Sequence, residues 1–129
     1  MIPIIRALLA HLIGPEASQI QIVANDVSYK PGKTADDEDG WDLEFIHPES
    51  GFGHDKSRTI RPYANLPKEQ RPWMFYAGDG VSDLSAARET DLLFAKKGMD
   101  LVTYCVKQDV PFTQFEDWTT IHAKVAAIV

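Results

Sequence analysis

Hydrophobic residues along this chain alternate between the period of helices and the period of strands. Over residues 3–13, Ile4, Ile5, Leu8, Leu9, Leu12 and Ile13 share one face at helical spacing. Pro3 suits the first turn of that helix, where a missing N–H costs nothing, and Gly14 followed by Pro15 ends it. Ile20-Gln21-Ile22-Val23-Ala24 opens with strict alternation and predicts a strand. Residues 28–40 are polar, carry Pro31, Gly32 and Gly40, and include the acidic run Asp36 to Asp39, the signature of a solvated loop. Trp41 to Ile46 predicts a strand folded back on the Ile20 strand, a small β flap over approximately residues 24–50.

The second half keeps alternating. Residues 55–64 predict a short helix with Asp55 as its N-cap. Trp73 to Ala77 predicts a strand, Ser82 to Glu89 a helix, Leu92 to Ala95 a strand, and residues 98–107 a helix opened by Gly98-Met99-Asp100. Phe112 to Phe115 is a brief edge-like strand. A last helix runs from about Glu116 to Ile128, with Trp118, Ile121, Val125 and Ile128 at helical spacing. Trp73 and Trp118 read as core positions, and Trp41 belongs to the flap. Strands alternating with helices imply an α/β fold with a mostly parallel sheet. In such sheets ligands sit at the carboxyl ends of the strands.

That is where the chemistry concentrates. Residues 75–95 read FYAGDGVSDLSAARETDLLFA. An apolar run ends in Gly78-Asp79-Gly80 and a helical pattern begins at once, leaving Asp79 and Asp83 four residues apart at a strand-to-helix turn. Aspartate offers short anionic oxygen ligands, and Mg²⁺ is usually held by one or two carboxylates plus waters and phosphate. On spacing alone, a tight turn with Asp79 or Ser82 capping the helix explains the segment equally well.

The segment resembles the fourth motif of haloacid dehalogenase-like (HAD) phosphatases of the phosphoserine-phosphatase-like branch, a Gly-Asp-Gly-x-x-Asp loop that follows a sheet strand and holds Mg²⁺. The likeness continues through Leu92-Leu93-Phe94-Ala95 and Lys96-Lys97-Gly98. Upstream, in GHDKSRTIRPYA, Lys56 falls where that family carries a phosphate-binding Lys, its third motif. Ser82 stands where many members have Asn. The resemblance implies Asp79 and Asp83 as metal residues, Lys56 as the catalytic cation on phosphate, and Gly78, Gly80 and Ser82 as the phosphate-side loop.

The family's nucleophile, the first Asp of an Asp-x-Asp signature after a first strand, has no counterpart here. Asp37-Glu38-Asp39 lies in a polar tract with no apolar strand before it. Met1 to Arg6 resembles the helix that follows the family's second motif. The resemblance therefore implies a single incomplete HAD-like domain over 1–129: a Rossmann-like three-layer core lacking the nucleophile strand and the strand after it. It implies a Mg²⁺-dependent site for a small phosphorylated metabolite, inactive in this chain alone, or else a non-catalytic truncated relative that binds metal or phosphate or serves protein association. Without those two strands, the Ile20 and Trp73 strands would stand roughly three spacings of about 4.8 Å apart. The Ile20 strand could cross to the Trp73 strand, or a second copy of the chain or a separate N-terminal polypeptide could fill the gap. Dimerisation is the favoured expectation, since bare edges aggregate.

Composition bounds the rest. With 44% hydrophobic and 25% charged residues the chain has the make-up of a packed globular domain. A net charge of −6 without a basic stripe argues against nucleic acid as a partner. No run approaches the roughly 20 apolar residues of a membrane span, so no membrane partner is expected. The single Cys105 cannot form an internal disulfide, which suits the cytoplasm, and it reads as a buried structural thiol. His11, His47, His54 and His122 show no metal-ligand spacing, and Ser57 and Ser85 lack a nucleophile elbow.

Overall fold

Five consecutive residues, Leu92 to Lys96, form the strand around which the C-terminal half is built; Leu93, Phe94 and Ala95 are buried, as expected of a parallel strand covered on both faces. The computed structural model describes all residues, 1–129. The chain divides into two units, Met1–His54 and Asp55–Val129.

In the second unit, helix α2 (Ser57–Ala64) leads to strand β3 (Phe75–Gly78) and a 3₁₀ turn (Val81–Asp83). Then follow α3 (Leu84–Ala87), β4 (Leu92–Lys96), α4 (Asp100–Lys107), β5 (Thr113–Phe115) and α5 (Trp118–Ala126). The three strands form one parallel sheet in the order β3-β4-β5, with Phe75 opposite Leu92 and Phe94 opposite Thr113. Together with its helices this is an α/β arrangement. Leu84 and Ala87 of α3, Leu93 and Ala95 of β4, and Leu101 and Cys105 of α4 make the core. The N-cap position of α2 is Lys56, one residue later than expected; Asp55 still holds the helix start, its Oδ1 accepting from the Ser57 N–H at 3.1 Å and the Ser57 hydroxyl at 2.7 Å. Asp117 caps α5 through the N–H groups of Thr119 and Thr120.

The expected Ser82–Glu89 helix is shorter than its periodicity suggests. The Asp83 side chain turns back onto the preceding loop, leaving a 3₁₀ turn first, and the Thr90 hydroxyl takes the Ala87 carbonyl at 2.9 Å, closing the helix early.

In the first unit, helix α1 (Ile2–Ile13) forms as expected but buries none of its residues. A 3₁₀ segment, Gly14–Gln19, follows. The expected Ile20–Ala24 strand does not form. The carbonyls of Ala17 and Ile20 both accept from the Arg6 guanidinium, at 2.9 and 3.0 Å, which ties this backbone to α1 instead of to a sheet. Two short strands, β1 (Asp26–Tyr29) and β2 (Trp41–Glu44), pair antiparallel in the stretch read as a flap. The partner of Trp41 is thus Tyr29, not the Ile20 segment. Val27 faces Leu43 and Tyr29 faces Trp41, so one face of the hairpin is apolar.

One of the three outcomes left open for the gap beside β3 does not occur, and one further expectation is corrected. No strand crosses to β3, whose single neighbour is β4, so its outer edge carries no strand of this chain. Trp73 and Trp118 are not core residues; they are 66% and 74% exposed. Trp73 lines an apolar cleft with Ile60, Tyr63 and Phe75 beside the open edge of β3.

Candidate functional site

Strand β3 ends in Gly78, and the chain turns at Asp79-Gly80 into the helical segment that carries Asp83. Asp83 is 3% exposed, and its carboxylate accepts four hydrogen bonds. Oδ2 takes the backbone N–H of Asp79 at 3.0 Å and of Gly80 at 3.1 Å. Oδ1 takes the Tyr76 hydroxyl at 2.7 Å and the Lys56 ammonium. A carboxylate has about four acceptor positions, so Asp83 is saturated. Burial alone would raise its pKa, but the donors from Lys56, Tyr76 and Gly80 outweigh burial and hold it below the usual aspartate range. Tyr76 shifts the other way: burial and the bond to the Asp83 anion push its hydroxyl far above the ordinary phenol value.

Gly78 is required by this packing. A Cβ there would lie 2.5 Å from the Asp83 Oδ2, with the rest of the carboxylate close behind. Gly80 is not so constrained, since the nearest atom to a Cβ would be 3.9 Å away. The Asp79 carbonyl accepts from the Leu101 N–H at 3.0 Å, which fastens the loop to the start of helix α4.

Lys56, Tyr76, Gly78, Asp79 and Asp83 line an open cavity of about 500 Å³ together with Lys96, Met99, Phe115 and Trp118. The sequence-derived candidates Lys56, Asp79, Asp83 and Gly78 are therefore together. Gly80 and Ser82 belong to the same loop without lining the cavity. Lys96 is tethered by the Glu116 carbonyl and sits 5.4 Å from the centre of the Phe115 ring.

The donor set suits a hard cation of one kind. No group of three or more His, Cys, Asp or Glu side chains is arranged so that it could hold a metal ion. Asp83 has no acceptor capacity left, whereas the exposed Asp79 carboxylate accepts no hydrogen bond within the chain. One available carboxylate beside the Lys56 ammonium fits Mg²⁺, which usually keeps waters and phosphate oxygens among its ligands. It does not fit a cation that demands an all-protein cage.

Tyr76 is the site residue that sequence reasoning missed. A strand tyrosine reads as core, and its signal was slight: a polar end on an aromatic seven residues before Asp83. Cys105 is fully buried, and burial pushes its thiol pKa up. The rings of His47 and His54 lie 5.7 Å apart in the first unit. No helix is long and apolar enough to cross a membrane.

No family model matches the sequence. Among curated proteins, the chain is 53% identical over 124 residues to "Pdp3-interacting factor 1" of Schizosaccharomyces pombe, a match covering 95% of this chain and 51% of that protein. It is 48% identical over 136 aligned residues to "Polyol phosphate phosphatase PYP1" of Saccharomyces cerevisiae, covering 100% of this chain and 54% of that protein. The chain thus spans about half the length of the curated relatives it matches.

Proposed function

We propose that this chain carries the electrostatic part of a Mg²⁺-dependent HAD-type phosphatase site acting on a small phosphate monoester. The observation behind the reading is the Lys56–Asp83 pair beside the exposed Asp79 carboxylate, at the carboxyl end of β3 in a cavity of about 500 Å³. Lys56 supplies the cation for the phosphoryl group. Asp79 is the direct metal ligand. Asp83 holds Asp79 and Lys56 in place through its bonds to the Asp79 N–H and the ammonium. Gly78, Gly80 and Ser82 shape the phosphate-side loop. When bound, Mg²⁺ offsets negative charge on the phosphoryl group as the transition state forms.

The name of the Saccharomyces cerevisiae relative supports a polyol phosphate as the substrate class. This chain presents no Asp-x-Asp nucleophile, so turnover by these 129 residues alone is not expected. The unpaired edge of β3 supports completion of a Rossmann-like core by a second copy of the chain or by an N-terminal partner polypeptide. A single, buried Cys105 suits a cytoplasmic setting. A second reading, non-catalytic protein association, draws on the name of the Schizosaccharomyces pombe relative and on the exposed apolar residues of α1.

The test is calorimetric titration of the chain with Mg²⁺ and with inorganic phosphate, alongside hydrolysis of p-nitrophenyl phosphate. Expected are Mg²⁺ binding lost in Asp79→Ala, phosphate binding lost in Lys56→Ala, and no turnover. Turnover that disappears in Asp79→Ala would reveal a nucleophile within this chain. Failure to bind either ligand would overturn the phosphatase reading in favour of the second one.

A further inference from the structure

We propose that Tyr76 is a positioning residue that sets how much of Lys56 is available to an anion, by sharing the Asp83 carboxylate with it. The inference rests on Lys56 being the cation that faces phosphate. Asp83 is buried and its Oδ2 is committed to the loop N–H groups, so Oδ1 alone serves the two side chains. Tyr76 reaches that oxygen at 2.7 Å from strand β3, half-buried, with only two side-chain torsions to vary. Lys56 comes to the same oxygen from the residue preceding α2, on a flexible four-carbon stem, with its side chain 35% exposed.

The two donors are unequal partners. Tyr76 is rigid and neutral; Lys56 is mobile, charged and carries three N–H donors. With the hydroxyl present, Oδ1 is satisfied by a fixed neutral donor plus one ammonium N–H, and the rest of the ammonium faces the cavity. Without it, one of the two bonds to that buried carboxylate oxygen is lost, which is costly for a charged group. The one flexible donor beside it is Lys56. The ammonium, already bonded to that oxygen, is then the only side-chain donor left to it and is held more strongly by Asp83, at the expense of a ligand. Tyr76 therefore acts through Asp83 on Lys56, with no bond of its own to the anion.

The experiment titrates inorganic phosphate and Mg²⁺ into the full chain and follows hydrogen exchange of the Lys56 ammonium by NMR. Tyr76→Phe, which deletes only the hydroxyl, is expected to weaken phosphate roughly tenfold, the worth of one hydrogen bond to a charged group. Mg²⁺ affinity is expected to hold, and the Lys56 ammonium to exchange more slowly. A merely structural role would disturb both ligands together. In an Asp83→Asn background the inward pull is gone, so Tyr76→Phe should change phosphate affinity by less than about twofold. Wild-type phosphate affinity in Tyr76→Phe, or a loss undiminished in the Asp83→Asn background, overturns the proposal. If Lys56→Ala binds phosphate like the wild type, the anion reading of Lys56 fails instead. The ammonium signal then decides the sharing by itself, and exchange unchanged by Tyr76→Phe overturns it.

Discussion

The two units put the same kind of sequence pattern to different use. Of the ten buried apolar residues, nine lie in Asp55–Val129 and only Ala17 in Met1–His54. Helix α1 is more apolar overall than α4, yet Ile4, Leu8 and Leu12 are 62%, 56% and 73% exposed, while Leu101 of α4 is fully buried. The difference teaches that periodicity fixes which face of an element is apolar, and that only a neighbouring element turns that face into stability. Helix α4 has the parallel sheet beneath it; within its own unit α1 buries no residue at all.

The sharpest way to break this comparison is a pair of truncations. Leu101→Ala empties a filled core position and is expected to cost about 3 kcal/mol in urea unfolding. Leu8→Ala removes an exposed side chain and is expected to stay within about 0.5 kcal/mol. Equal costs would mean that α1 is buried in solution. A second pair probes the site loop. Gly78→Ala drives a methyl group into the Asp83 carboxylate and is expected to cost about 2 kcal/mol, whereas Gly80→Ala, at an extended φ of −112° with open space around it, should be nearly neutral. Similar melting temperatures for the two variants would contradict the packing of Asp83 against the strand end.

The smallest effect is in acid. The Asp83 pKa lies below its unfolded value near 3.8, because its donors outweigh burial. The carboxylate therefore adds stability that is fully present above that value and is lost as pH falls through the depressed folded one. Stability of the second unit should drop in this acid range, and Asp83→Asn should flatten the drop. An unchanged pH profile in that variant would exclude Asp83 as its source.

Much of the second unit was legible from sequence because its signals agree with one another. Gly-Asp-Gly closes a strand, Asp55 stands at the start of a helix, and the Leu92 run has the length and apolarity of a central strand. The first unit was less legible because its backbone is decided by long-range side chains. Nothing in Ile20–Ala24 announces that Arg6 will take the Ile20 carbonyl, so alternation there pointed to a strand that does not form. Trp73 and Trp118 failed as core residues for a related reason. Aromatic spacing gives a direction, and both directions lead to surface in this chain. At the candidate site, the resemblance singled out Asp79, Asp83 and Lys56, which the structure brings to one cavity, but how hydrogen bonds are divided among them was not legible. Only geometry distinguishes the carboxylate that is open from the one already saturated.

The Lys56–Asp83 bond also has a kinetic consequence. It joins residues 27 apart in sequence, whereas the other bonds to Asp83 span seven residues or fewer. The loop around Asp79 can therefore be drawn together early by local closures, while the cation arrives only when a much longer stretch of chain has been tied off, at a higher entropic cost. An anion that needs Lys56 thus recognises only molecules that have completed this last closure. Its binding would shift the folding balance toward the native state by mass action, so phosphate could serve as a reporter of how many molecules in a preparation are fully assembled.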